Sequence, residues 1–201
     1  ALDRERYPFY RHSDADFFLV ESAGQALGRI TAIENRRYNA FHEAKAAFFY
    51  YFEVVDDVQA ARLLFDAAFA WARQRGLEVM YGPKGLLRAD GHGALVEGFE
   101  HRPALNVPYN HPYYDALIVD AGFEKELDYL SGYLSADYQF PERIRDIAER
   151  VKTRRGYHIR TFTSKGELRE LIPLIPGIYE RAFVQVWGYY PVDAAEIQAL
   201  V

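Results

Sequence analysis

Cysteine is absent from the 201-residue chain, which removes disulfides, thiolate metal sites and a cysteine nucleophile together. No apolar run approaches the roughly 18–20 residues that span a bilayer, so no membrane partner is expected. Positive charge is in deficit: 24 Lys and Arg stand against 29 Asp and Glu, a net charge of −5. A nucleic-acid partner would need a basic stripe. The short clusters Arg36-Arg37 and Lys152 to Arg155 read instead as solvated surface. The chain opens Ala1-Leu2-Asp3-Arg4, with neither an initiator Met nor a signal-peptide pattern. An N-terminus that is trimmed or left unobserved and a cytoplasmic location are the expectation, and a reducing compartment is compatible with the composition.

What the chain does have is aromatic and apolar. Half the residues are hydrophobic, and Tyr (16) with Phe (14) make up nearly all the aromatics. This is globular composition, suited to broad sheets and grooves. Phe17 to Glu21 and Ala26 to Ile33 are two β-prone runs around Ser22-Ala23-Gly24-Gln25, the pattern of a hairpin. Asn35 to Glu43 is polar and basic and reads as a loop. Ala46 to Val55 is too uniformly aromatic and β-branched for a one-sided strand, so it reads as a central strand buried on both faces.

Asp56-Asp57 then opens the clearest helix. Val58, Ala61, Phe65, Ala68, Phe69 and Ala72 form one apolar stripe, Arg62 with Asp66 is an i,i+4 pair, and Gly76 stands at the C-terminal stop. Leu77 to Tyr81 follows as a short strand, expected parallel to the central one. Gly82 to Pro108 is a long loop. Pro112 starts a helix that turns Tyr114, Leu117, Ile118 and Ala121 inward and ends at Gly122, and Phe123 to Leu134 reads as strand. Pro141 begins a second amphipathic helix, ending at Gly156. Tyr157 to Phe162 reads as strand, Ser164 to Glu167 as a capping box, and Val192 to Val201 as helix.

The element order from Phe17 to Leu134 resembles the GNAT acyltransferase superfamily. The match is carried by Phe17 to Ile33 with Gly28-Arg29-Ile30, by Gln59 to Gly76, and by Tyr113 to Phe123 (YYDALIVDAGF). The run from Gly93 to Lys125 resembles a bacterial subgroup of GNAT-like proteins that carry two such domains. The resemblance implies an α/β (α+β) fold: a mixed, mostly antiparallel sheet splayed between two central parallel strands and flanked by helices. It implies a first GNAT-like domain over 1–135, a linker helix over 136–156, and the opening strand and helices of a second domain over 157–201.

The activity implied is acyl-CoA-dependent N-acylation, with acetyl-CoA or another acyl-CoA as co-substrate and a small-molecule or peptide amine as acceptor. No metal is implied, and a homodimer is among the assemblies compatible with the family. The family's cofactor strip and loop fall on Val54, Val55, Asp57, Val58, Gln59, Ala60 and Ala61. Pyrophosphate binding there would use the positive end of the helix dipole and free N–H groups. On this sequence only Ala61 fits the family's loop pattern. Asp56 stands in place of Gln or Arg, and Gln59 in place of Gly. The family's proton-donating Tyr position is Ile118, with Tyr113 and Tyr114 one turn earlier, and Glu53 is the general-base candidate.

Two other groupings carry weaker chemistry. Asp90, His92, Glu97 and His101 match no metal-ligand spacing. Gly82-Pro83-Lys84-Gly85 has the composition of an anion cradle without the Walker spacing. The alternative to an enzyme is a catalytically silent GNAT-like module that serves as a structural or partner-binding domain.

Overall fold

A two-residue turn sets the first strand pairing. Ala23 and Gly24 both take positive φ (50° and 79°), the geometry of the hairpin turn whose twist matches that of the strands. The computed structural model describes residues 3–87, 90–105, 107–192 and 195–196. In it, β1 (Asp14–Ser22) and β2 (Gln25–Glu34) pair antiparallel across this turn. β3 (Ala46–Val54) pairs antiparallel with β2, and β4 (Val79–Tyr81) pairs parallel with β3. The result is a four-stranded mixed sheet in the order β1-β2-β3-β4, an α+β architecture with helices against the sheet.

The alternation of side chains along β3 explains why it is buried on both faces. Ala47 and Phe49 join Ile30, Ala32 and Val54 in one core, under the helix α2 (Val58–Gln74) and the helix α3 (Tyr114–Asp120). Ala46 and Phe48 face the other way and join Phe9, Tyr38, Leu86 and Tyr190 in a second core.

The N-cap of α2 is Asp57, whose carboxylate accepts the N–H groups of Gln59 and Ala60. The helix buries Ala61, Leu64, Phe65, Ala68 and Trp71, and a fully buried Leu or Phe contributes roughly 1.5–3 kcal/mol. Its end is a Schellman stop: Gly76, at φ 69°, donates to Arg73, and Leu77 donates to Ala72. Val58, expected on the buried stripe, is 40% exposed, because the helix presents Leu64 and Trp71 to the core instead.

Several expectations are corrected. Arg36–His42 is helix α1, not loop: the Asn35 side chain caps it through Tyr38 N–H, and Glu43 closes it at φ 50°. Arg62 pairs not with Asp66 but with Asp120 of α3, in a two-bond fork of 2.8 and 3.1 Å. That fork ties two helices together where the local pair would tie none. Phe123 to Leu134 forms no strand: Phe123 inserts its ring against Phe49 and Phe65, while Leu130 and Tyr133 are exposed. Tyr157 to Phe162 likewise lies outside any strand.

The chain divides into two units, Ala1–Glu126 with Ile172–Val201, and Leu127–Leu171. The second unit holds α4 (Glu142–Arg155), which runs from Pro141 to Gly156 at φ 64°, and α5 (Lys165–Arg169). Ser164 caps α5 through Glu167 N–H, while the Glu167 carboxylate reaches Thr163 rather than closing a box on Ser164. The first unit also includes α6 (Ile175–Phe183). Most of the helix expected over 192–201 lies outside the described residues. No helix among the described residues is long and apolar enough to cross a membrane.

Candidate functional site

β4 stops at Tyr81 while its neighbour β3 runs on to Val54. The outer half of β3 therefore runs on past the last residue of β4 with no strand paired to that edge among the described residues. Near its start the Phe49 carbonyl accepts Lys84 N–H at 2.8 Å. Near its end two side chains take the place of a strand. The Tyr113 hydroxyl donates to Val54 C=O at 2.9 Å, and Val54 N–H donates to the Tyr114 hydroxyl at 3.1 Å.

Between these points the strand carries a bulge. Arg29 pairs with Glu53 and Thr31 with Tyr50, so three steps on β3 face two on β2. Tyr51 absorbs the extra residue at φ 48°, a region that bulky side chains rarely occupy. The consequence is directional. Tyr50 and Tyr51 stand side by side with ring centroids 4.7 Å apart, and Glu53 meets Arg29 at 3.0 Å. The approach of β3 to β2 also needs a glycine at position 28, where a Cβ would lie 2.7 Å from the Glu53 carbonyl oxygen.

A cavity of about 700 Å³ opens along this edge. The strands contribute Leu19, Gly28, Arg29, Tyr50, Tyr51, Glu53 and Val54 to its lining, and Val55 follows. The loop after β4 supplies Pro83, Gly93 and Ala94, and the segment before α3 supplies Tyr109, Asn110, His111, Tyr113 and Tyr114. Asn110 fixes that segment: its amide oxygen accepts Leu95 N–H at 2.6 Å and its amide nitrogen donates to Leu95 C=O at 3.1 Å. Asn106 lies outside the described residues.

Burial, with the charge of Asp56 as a lesser cause, raises the Tyr113 hydroxyl above the ordinary phenol range. Burial likewise raises Tyr114. Both are therefore protonated at neutral pH and able to donate. Tyr50 and Tyr51 are raised by burial and by Asp90.

Of the residues singled out from the sequence, Glu53, Val54, Val55, Tyr113 and Tyr114 come together in this cavity. Asp57, Val58, Gln59, Ala60 and Ala61 do not line it. The Gln59 and Ala60 amides are taken up by Asp57 at 2.8 and 3.1 Å, the Asp57 carbonyl accepts Ala61 N–H at 3.0 Å, and Ala60 and Ala61 are buried.

The segment 82–85 does not form an anion cradle. Lys84 and Gly85 N–H are spent on Phe49 and Gly91. The Lys84 ammonium is buried, donating to Gly188 C=O at 3.0 Å among the rings of Tyr38, Phe48 and Trp187. Asp90 is likewise engaged, its carboxylate accepting Leu87 N–H. No group of three His, Asp or Glu among the described residues is placed to hold a metal ion.

Read as a sequence, the chain assigns Arg29 and Tyr51 no role at the site, and His111 stands only within the aromatic and amide-rich run 106–114, which suits either lining a groove or a rigid Pro-bounded turn. Tyr51 escapes because strict alternation puts it on the opposite face from Tyr50. The signal for His111 is its place between Asn110 and Pro112, immediately before a helix that aims two tyrosines at the strand.

The chain is 27% identical over 184 residues to Protein YghO of Escherichia coli (strain K12), covering 91% of this chain and 46% of that protein. It is 27% identical over 209 residues to the Bacterial ceramide synthase of Caulobacter vibrioides (strain NA1000 / CB15N), covering 100% of this chain and 52% of that protein. The chain thus spans about half the length of the curated relatives it matches. No family model matches it, and no solved structure shows a significant match.

Proposed function

We propose that the cavity beside β3 holds an acyl thioester and an amine, and passes the acyl group from sulfur to nitrogen. The observation that carries this reading is the edge of β3 at Val54, which is met by two phenols in place of a strand: Tyr113 donates to its carbonyl and Tyr114 accepts its N–H. An extended acyl-CoA arm is able to pair with such an edge as an added strand, exchanging the tyrosine bonds for its own. The amine nitrogen attacks the thioester carbon, the C–S bond breaks, and a phenol donates its proton to the departing thiolate. Glu53, exposed at the rim, offers a carboxylate to the incoming ammonium.

Two further supports are the GNAT-like order of hairpin, strand, helix, strand and helix from β1 to α3, without the strand expected over 123–134, and the relative named as a ceramide synthase. A ceramide is the N-acyl amide of a long-chain amino alcohol, so the acceptor proposed here is a long-chain amine. The apolar side chains of Leu19, Leu27 and Val55 in the lining suit hydrocarbon. The test is mass spectrometry of the purified chain with palmitoyl-CoA and dodecylamine. Formation of the amide, lost in Tyr113→Phe/Tyr114→Phe, is expected; no amide from the unaltered chain would reject the reading.

A second reading is a GNAT-like module without transfer activity of its own. It is favoured by Asp57, which occupies the helix-start amides that a pyrophosphate would use. Calorimetry with acetyl-CoA, run beside Asp56→Arg/Gln59→Gly, separates the two. Binding by the unaltered chain supports the enzyme, and binding by the variant alone supports the silent module.

A further inference from the structure

We infer that His111 is the base that takes the proton from the acceptor amine, an assignment that rests on the acyl-transfer reading above. His111 lines the cavity and its ring lies parallel to that of Tyr113, with centroids 5.1 Å apart and planes 6° apart. The Tyr114 ring is 5.9 Å away. One imidazole and two phenols are thus gathered where Val54 presents its edge.

The backbone beneath the ring is fixed from both sides. Tyr114 N–H and the Asn110 side chain both donate to the His111 carbonyl, at 3.1 and 2.9 Å, and Asn110 is itself clamped to Leu95. The ring nitrogens, in contrast, have no hydrogen-bond partner among the described residues. Glu53 is differently placed, with its carboxylate engaged by Arg29 at 3.0 Å. His111 is also solvent-exposed, which a base needs if it is to return its proton to water.

The chemistry requires such a group. An alkylamine is an ammonium ion at neutral pH, with a pKa near that of lysine, ~10.4, and has no lone pair with which to attack. His111 takes one proton, and the neutral nitrogen forms a bond to the thioester carbon. As the tetrahedral adduct collapses the C–S bond breaks, the thiolate takes the Tyr113 proton, and the phenolate takes the second proton from nitrogen. The products are an amide, a thiol and one proton, which leaves His111 for solvent.

The test compares two acceptors in one enzyme. Dodecylamine is an ammonium ion at neutral pH, whereas hydroxylamine is largely unprotonated there and needs no base. With palmitoyl-CoA as donor, His111→Ala and His111→Gln are expected to lower kcat for dodecylamine by about 10²–10⁴-fold, the usual contribution of general acid–base catalysis. Hydroxamate formation from hydroxylamine, taken above the spontaneous reaction with palmitoyl-CoA, stays within about threefold of the unaltered chain, which also reports that the variants are folded. Added imidazole restores part of the dodecylamine rate in His111→Ala.

Equal losses with both acceptors would show that His111 holds structure or substrate and takes no proton. Full dodecylamine activity in both variants would overturn the assignment while leaving acyl transfer intact. An unaltered chain that makes neither product rejects acyl transfer and the assignment together.

Discussion

Val54 gives its N–H to the hydroxyl of Tyr114 at 3.1 Å, and its carbonyl receives the hydroxyl of Tyr113 at 2.9 Å. Two side chains from the start of one helix thereby fill both edge positions that a neighbouring strand would fill. The two bonds are not equivalent. Tyr114 and Val54 are buried, so Tyr114→Phe strands an N–H donor in apolar surroundings, at a cost of about 1–3 kcal/mol. Tyr113 is only partly buried, and water is able to reach the carbonyl it leaves. Tyr113→Phe is expected to cost about 0.5–1 kcal/mol. Denaturant unfolding of the two variants measures this order, and a reversed order would mean the edge is not held as described.

Tyr51 tests the bulge. Its φ of 48° is strained for any side chain with a Cβ and most strained for a β-branched one. Tyr51→Val and Tyr51→Asn both remove the ring, so the difference between them isolates the backbone. Asn tolerates the left-handed region, and Tyr51→Val is expected to be less stable than Tyr51→Asn by about 1–2 kcal/mol. Thermal unfolding of the pair decides it. Equal stability would place the extra residue of β3 elsewhere.

Much of the fold could be read from residue pattern because it depends on local rules. The hairpin around Ala23-Gly24, the two-faced strand over Ala46–Val54 and the helix between Asp57 and Gly76 all follow from period and caps. Other features depended on partners distant in sequence. Arg62 had a plausible partner four residues away in Asp66, yet its fork closes on Asp120. Phe123 had a strand-like neighbourhood, yet its ring fills the core between Phe49 and Phe65. The site divides in the same way. Glu53, Tyr113 and Tyr114 are candidates through the GNAT resemblance, whereas Arg29 and Tyr51 join them only through a bulge that breaks the period of two.

Asp57 offers a test that links stability to binding. Its carboxylate satisfies the N–H groups of Gln59 and Ala60, and Asp57→Ala removes that cap. The expected cost is about 1 kcal/mol, read by denaturant unfolding. The same change frees two amides and removes a negative charge at a helix N-terminus, where anions are favoured. Calorimetry should therefore show tighter CoA binding by Asp57→Ala than by the unaltered chain. Weaker binding would mean that Asp57 serves the ligand rather than the helix alone.

Acid sensitivity should trace to Asp16. Its carboxylate accepts Trp71 Nε1–H at 2.6 Å and an Arg4 guanidinium N–H at 2.6 Å, and Arg75 stands 3.5 Å away with its guanidinium 3.9 Å from the centre of the Trp71 ring. Burial pushes the Asp16 pKa up, but the bonds from Trp71 and Arg4 outweigh it and hold the group below the ordinary aspartate range. A folded-state pKa below the unfolded one means the carboxylate stabilises fully above the unfolded value, ~3.9. That stabilisation is lost as the pH falls through the folded value. The side chain is 39% exposed, which reduces its worth to about 1 kcal/mol. Asp16→Asn should therefore be less stable than the unaltered chain at neutral pH, with the gap closing as the pH falls below about 4. Unfolding curves for both proteins across that range measure it, and a gap that does not change with pH would assign the acid sensitivity to another carboxylate.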